Sequence, residues 1–414
     1  VLSVSVPRSI VFLIPTELNP RSNGHACILT LAKELQAVGY DVSLLPIQPS
    51  RFFRRYWQKL PKIYKQLRFL AHPSEALQSS LLVVPESTPR GLLNKLRPYF
   101  QDVLWWILAP SGLLTSYKPA MRVGDLMLPF SSFTLPFSPK YLFVHPPVDD
   151  ALAKANSTYL PHRLHLESVC LYTGKGRLKA LPRPLHRAML ELNIRLITRD
   201  YPSSRQKLIS ILSDSRGLIS FDPLTNLNLE AGNLGVPVYL PGNPFPPVCF
   251  TDFPINLANY VTDDAEIFLE RLAENSAPKK LSLQLFRSLN SQAVALMARV
   301  FTDVGFVDSL RMKPETLHAI NRYSQTIKAT RTIQTLFNGS ALSSCFTLLY
   351  VRSLKLPYWI HIGLCQCLNL IDRLADVLAA IGLYRFLHPF IGFFVNRLFS
   401  IGSRLRRKPS TSKS

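Results

Sequence analysis

The sequence predicts an α/β protein of two doubly wound parallel sheets, closed by a helical tail that is both apolar and basic. Three observations carry this expectation. Short apolar runs alternate with stretches of helical periodicity in both halves of the chain, so each half reads β-α-β-α-β. The segment Phe143-Val144-His145-Pro146-Pro147-Val148-Asp149 interrupts the alternation with two stiff prolines, as a junction between domains requires. From Ala341 onward the strand pattern stops, and Arg352, Lys355, Arg373, Arg385 and Arg397 interrupt strongly apolar, aromatic stretches. The chain's 414 residues are enough for two or three domains with a substantial core.

In the first half, Ile10–Pro15 is a continuous apolar run of the buried parallel type. Asn19–His25 is a polar loop. A helix is expected from His25 to Val38, with Ile28, Leu31, Ala32 and Leu35 on one face and Gly39 as its stop. Asp41–Leu45 is the second strand, which completes a βαβ unit, and only Gly24 stands in the intervening loop, so it is not a dinucleotide fingerprint. Arg51–Leu70 is basic and aromatic, either an exposed insertion or a contact for an acidic or lipid-linked ligand. Further strands are expected at Leu81–Pro85, Asp102–Ala109, Asp125–Leu128 and Tyr141–Val144, with a short helix at Gly91–Phe100.

Residues 150–167 read as a polar connector. Ser168–Thr173 opens the second sheet and runs into Gly174-Lys175-Gly176-Arg177, a turn that can bring backbone amides and cations to a diphosphate, or merely expose two charges. Arg195–Thr198 is a strand and Arg205–Leu212 a helix. Leu218–Phe221 is a strand ended by Asp222-Pro223. Thr225 is a good N-cap for a helix running to Gly235, and Val236–Leu240 is the next strand. Asp222 and Glu230 therefore bracket a helix start whose free amides at Thr225, Asn226, Leu227 and Asn228 suit an anion, and a carboxylate beside it can grip hydroxyls. Ala265–Leu272 and Leu281–Val300 are expected to close the second domain. The domain plan is 1–145, 146–300, a helical connector at 301–340 and amphipathic helices at 341–414.

The formal charge of +22 points to an anionic partner, whether nucleic acid, membrane surface or substrate. No RNA-binding signature accompanies the basic aromatic stretch, so no nucleic acid is expected. The six cysteines have no zinc-site spacing and read as buried reduced thiols of a cytosolic protein; no signal peptide is evident. The tail contains no uninterrupted apolar run long enough to span a bilayer, which favours helices lying at a membrane surface, with a cap on the second domain or a partner-binding helix pair as the alternatives.

The spacing Asp222-(seven residues)-Glu230, followed by Ala231-Gly232-Asn233-Leu234-Gly235-Val236-Pro237-Val238, resembles the carboxylate motif of GT-B glycosyltransferases, most of all glycosyltransferase family 4. Both acidic positions are usually Glu in that family; here the first is Asp, one methylene shorter. Leu31-Ala32-Lys33-Glu34-Leu35, continuing to Val42, resembles the family's N-domain opening. Trp105–Gly112 resembles a stretch of some GT-B enzymes of polysaccharide clusters, and the His145–Asp149 segment resembles the family's passage between domains.

The resemblance, which covers residues 8–300, implies a GT-B fold with two Rossmann-like domains facing a cleft. It implies a hexosyltransferase-type enzyme, retaining and metal-independent, with no cofactor, that moves a sugar from a nucleotide-sugar donor to a glycan or lipid-linked acceptor in polysaccharide or glycolipid synthesis. It places Glu230, Asp222 and Lys175 in catalysis. Gly24, His25, Gly174, Arg177, Thr225, Asn226, Leu227 and Asn228 bind the donor, and His145 is structural. With the tail, it implies a cytoplasmic protein, peripheral on the inner face of the plasma membrane. A nucleotide-sugar epimerase on the same fold and a non-catalytic nucleotide-sugar-binding or scaffold protein are the alternatives.

Overall fold

The computed structural model describes residues 9–15, 22–47, 64–110, 120–157, 166–174, 176–198, 201–245, 248–251, 256–257, 260–274, 280–326 and 341–380. Lys175, most of the basic aromatic stretch, Ser111-Gly112 and the end of the tail from Ile381 lie outside the described residues.

In chain order the elements are β1 (Ser9–Ile14), α1 (Asn23–Ala37), β2 (Asp41–Pro46), β3 (Arg68–Phe69), β4 (Leu81–Pro85), α2 (Arg90–Leu96), β5 (Asp102–Ile107), β6 (Leu126–Pro129) and α3 (Asp150–Ser157). Then come β7 (Ser168–Tyr172), α4 (Arg183–Glu191), β8 (Asn193–Ile197), α5 (Arg205–Ser213), β9 (Gly217–Ser220), α6 (Asn226–Asn233), β10 (Val238–Tyr239), β11 (Val261–Thr262) and α7 (Ala265–Ala273). The last five helices are α8 (Leu283–Thr302), α9 (Val304–Leu310), α10 (Pro314–Thr326), α11 (Ala341–Ser353) and α12 (Tyr358–Ala380). Contacts divide the chain into two compact units. The first is Val1–Ala153 with Pro244–Ala258 and Leu281–Ala329; the second is Lys154–Asn243 with Asn259–Lys280 and Thr330–Ser414.

The first unit is built on a six-stranded parallel sheet in the order β3-β2-β1-β4-β5-β6, two βαβ halves diverging from β1 and β4. Every residue of β1 is buried, as its continuous apolar run requires of a central parallel strand. Asp125 draws β5 and β6 together: its carboxylate accepts from both Arg97 guanidinium nitrogens (2.6 and 2.7 Å) and from the Trp105 indole (2.8 Å).

Helix α8 corrects the sequence reading, which placed it on the second domain. Its Ala293 and Met297 enter the first unit's core beside Leu31 and Leu35 of α1. Asn290 on α8 clips the His145 backbone from both sides, accepting from its N–H (2.7 Å) and donating to its carbonyl (2.9 Å), while Phe286 packs on the His145 ring. This is a structural setting for His145. Tyr141–Val144 is likewise not a strand: it is tied to the sheet edge by the Leu142 N–H to Pro129 carbonyl bond, and Leu142 caps the Trp106 indole (3.2 Å). The connector at 150–167 begins as α3, and α1 starts at Asn23, so Gly24 and His25 lie in its first turn rather than in a loop.

The second unit holds a five-stranded parallel sheet, β11-β10-β9-β7-β8. The chain adds β8 on one side of β7, then crosses to add β9 on the other. The order reverses between β7 and β9, which is the position in an open parallel sheet whose strand C-terminal loops ordinarily carry the ligand site.

Helices α11 and α12 correct a second expectation. The sequence reading closed the core before residue 341, yet Phe346, Tyr350, Leu354, Cys365 and Leu368 belong to the second unit's core beside Leu171, Leu185 and Phe221. Lys355, one of the cations that interrupt the apolar tail, donates to the carbonyls of Met189 (2.8 Å), Leu190 (3.0 Å) and Leu192 (2.7 Å) and so caps the C-terminus of α4. Among the described residues no helix is long and apolar enough to cross a membrane.

Candidate functional site at the second sheet

The site-bearing loops leave β7, β9 and β10. After β7 the chain turns at Thr173–Gly176, closed by the Gly176 N–H to Thr173 carbonyl bond (3.2 Å). Gly174 has φ +49°, and a Cβ there would run into Asp222, 2.7 Å from Oδ2. A Cβ at Gly176 would overlap the Phe221 carbonyl. Both glycines are therefore required, one by conformation and contact and the other by close backbone approach. They set the 174–177 turn directly against the residue that ends β9.

Asp222 is buried. Its Oδ1 accepts from the Leu224 N–H (3.2 Å), which folds the Asp-Pro corner, and its carbonyl accepts from the Asn228 amide (3.0 Å). Thr225 caps α6 as its position predicts, and its hydroxyl accepts from the Leu227 N–H (3.3 Å). Three of the four expected anion-binding amides are thus bonded within the loop itself: Leu227 to the Thr225 hydroxyl, Thr225 to the Asp222 carbonyl (3.3 Å) and Asn228 to the Thr225 carbonyl (3.2 Å). The buried Oδ1 atoms of Asn226 and Asn228 have no hydrogen-bond partner among the described residues.

Glu230 is buried one turn further along, and both its oxygens are engaged. Oε1 accepts from the Asn226 amide (2.8 Å), and Oε2 accepts from the Arg205 guanidinium (2.8 Å). Arg205 opens α5 and is half-exposed, so Glu230 holds a cation beside the first turns of α6. The sequence reading named Glu230 for hydroxyl binding and did not name Arg205; its place at the start of a helix was the available signal.

Lys179 was also missed. Its Nζ donates to the Gly242 carbonyl (2.8 Å) and ties the loop after β7 to the loop after β10, where Gly242 has φ +56°. Burial, with Arg177 close by, lowers the Lys179 pKa. The Lys179 carbonyl accepts from the Tyr350 hydroxyl (2.7 Å), which links the site loops to α11.

The structure brings Gly174, Asp222, Thr225, Asn226, Leu227, Asn228 and Glu230 together in the second unit, with Arg177 on the same turn as Gly174. Lys175 lies outside the described residues. Gly24 and His25 belong to the first unit, and a Cβ at Gly24 would make only an ordinary contact with Leu108 (3.7 Å). Among the described residues, no three His, Cys, Asp or Glu side chains gather as metal ligands.

No protein-family model matches the chain, and no curated protein matches it by sequence. Solved structures do match. A candidate UDP-N-acetylglucosamine 2-epimerase from Listeria monocytogenes is 10% identical, with a TM-score of 0.37 over 74% of this chain and 98% of that one. MurG of Acinetobacter baumannii is 12% identical, with a TM-score of 0.35 over 77% of this chain and 100% of that one. UGT2 of Phytolacca americana, complexed with UDP-2-fluoro-glucose and pterostilbene, is 12% identical, with a TM-score of 0.33 over 77% of this chain and 100% of that one.

Proposed function

We propose that this protein is a GT-B glycosyltransferase whose second unit binds a nucleotide-sugar donor, and that it transfers the sugar to a glycan or lipid-linked acceptor. The observation that carries this reading is the close approach of the 174–177 turn to Asp222 at the reversal of strand order, with Glu230 of α6 paired to Arg205 of α5. Carboxylates that can order hydroxyls stand there beside cations that can meet phosphates, which is the chemistry a nucleoside diphosphate-sugar requires.

In the proposed reaction the acceptor oxygen bonds to the sugar's anomeric carbon as the bond to the phosphate oxygen breaks. The nucleoside diphosphate leaves with the electron pair, and the acceptor's proton passes to the departing phosphate. Lys175, Arg177 and Lys179 offset the charge that develops on that phosphate. Asp222 contacts the sugar, and Glu230 acts on donor hydroxyls together with Arg205. Retention of the anomer and metal independence are carried over from the family 4 resemblance. Its place is the inner face of the plasma membrane, consistent with the basic tail.

The test is a thermal-shift screen of nucleoside diphosphates followed by transfer assays with the matching nucleotide-sugars, since a ligand bound only by the native state raises Tm. A nucleoside diphosphate that stabilises the protein, and a sugar recovered on an acceptor, are expected. Recovery of an epimerised donor would replace transferase with epimerase, and no shift with any nucleotide would remove the donor site.

A further inference from the structure

Helix α12 is apolar on two opposite faces. One face carries His361, Cys365 and Leu368 into the second unit's core. The other carries Trp359, Leu370, Leu374 and Val377, whose side chains are 73%, 59%, 56% and 58% exposed. At 100° per residue these four fall within an arc of about 60° on the side away from the core, and the stripe runs about 27 Å along the helix. Leu348 and Leu349 of α11, and Leu356 in the turn between the helices, are exposed as well. A helix that is apolar all round is normally buried all round, and an open patch of this kind marks a site of association.

We infer that this outward face docks on an anionic lipid surface. Charge chooses the occupant. Arg352 and Arg373 are exposed beside the apolar residues, while Asp372 is turned into the protein and buried. Beyond Asp376 the sequence contains no acidic residue, but it supplies Arg385, Arg397, Arg404, Arg406, Arg407 and Lys408. A second copy seated on this face would bring like charges together, which opposes association. A membrane surface with anionic headgroups attracts the same charges and accepts the apolar stripe into its boundary layer. Trp359, at the start of the stripe, is a residue type that settles at the headgroup level. This gives the membrane placement proposed above a physical surface. It rests on the packing of α11 and α12 and not on the donor site, so loss of vesicle binding with nucleotide binding intact fails this inference alone.

The experiment is flotation of the full chain with vesicles of phosphatidylcholine rich in phosphatidylglycerol, and with vesicles of phosphatidylcholine alone. The wild type should float with the anionic vesicles and far less with the neutral ones. The Leu370→Gln/Leu374→Gln variant changes only exposed side chains and should keep its melting temperature while its vesicle affinity falls about a hundredfold. Trp359 gives a reading that needs no destabilising change: brominated lipids should quench wild-type fluorescence more than that of Trp359→Phe. A wild type that stays soluble, a variant that floats as well as the wild type, or an unquenched Trp359 would overturn the inference. So would light scattering that shows a dimer dissolved by the same double substitution.

Discussion

Tyr350 is where the terminal helices meet the site, and its removal should be felt in both. The side chain is fully buried. Its hydroxyl donates to the Lys179 carbonyl at 2.7 Å, and its ring stands edge-on to Phe221 with centroids 5.3 Å apart. Phe221 in turn presents the carbonyl against which Gly176 is packed. Tyr350→Phe keeps the ring and removes the hydroxyl's hydrogen bond to the Lys179 carbonyl, a loss of about 0.5–1.5 kcal/mol. Tyr350→Ala removes the ring and opens a cavity, a loss of about 3–5 kcal/mol. Against a typical total of about 5–15 kcal/mol, the second change should leave the unit folded but plainly weakened. Urea titration with hydrogen exchange at the β7 and β9 amides reads this unit specifically. Protection there should fall in the order wild type, Tyr350→Phe, Tyr350→Ala. Nucleoside diphosphate affinity should fall by about tenfold or more in Tyr350→Ala, because Phe221 loses the ring that holds it against the turn. If β7 and β9 keep wild-type protection in Tyr350→Ala, the terminal helices are a surface attachment and the packing argument is wrong.

Three further outcomes are expected. Glu230→Gln should lower transfer about a hundredfold; because the Arg205 side chain is 40% exposed, their ion pair contributes only about 1 kcal/mol to stability, and Arg205→Ala in the Glu230→Gln background should cost little more activity, so additive losses would separate the two residues. Gly174→Ala, strained at φ +49° and crowded against Asp222, should weaken nucleoside diphosphate binding in calorimetry, with a stability loss of about 1–3 kcal/mol; unchanged binding would place the turn away from the phosphates. Burial, with His186 beside it, lowers the His361 pKa from 6.5 to about 4. The unfolded chain therefore takes up this proton first as pH falls, and stability should drop between pH 6.5 and 4 by up to about 1.4 kcal/mol per pH unit. His361→Gln should flatten that slope in urea titrations across the window, and an unchanged slope would assign it to other groups.

The centre of the candidate site was legible because it is local. A strand, an Asp-Pro corner, a Thr cap and a Gly stop occupy consecutive positions, and each imposes its geometry on the next few residues, so the run from Leu218 to Tyr239 could be read in order. Arg205 and Lys179 escaped for the opposite reason. Arg205 lies 25 positions from Glu230 and Lys179 lies 63 from Gly242; the helix start marks Arg205's position but neither residue's neighbourhood names its distant partner. Helix α8 was recognised as a helix but assigned to the wrong unit. Its amphipathic period tells that one face is covered; it does not tell which sheet does the covering, and that is decided by Asn290 finding the His145 backbone 145 positions earlier.

The terminal helices show how one pattern can carry two meanings. Apolar residues interrupted by Lys and Arg were read as a surface helix with its cations toward headgroups. In the fold the interruptions divide: Lys355 closes the carbonyl end of α4, while Arg352 and Arg373 stay exposed. The apolar residues divide as well, into the set around Tyr350 and Leu368 that completes the core and the set around Leu370 and Leu374 that does not. The division follows from helical phase. Leu368 and Leu370 are two positions apart, about 200° around the axis, so they point to opposite sides of the same helix. Composition averages over phase and cannot separate them. Once the core has taken one side, the leftover apolar side is no longer explained by folding, because nothing in the second unit's core uses it. That remainder, together with cations that no acidic residue after Asp376 offsets, is what the inferred lipid-facing surface rests on.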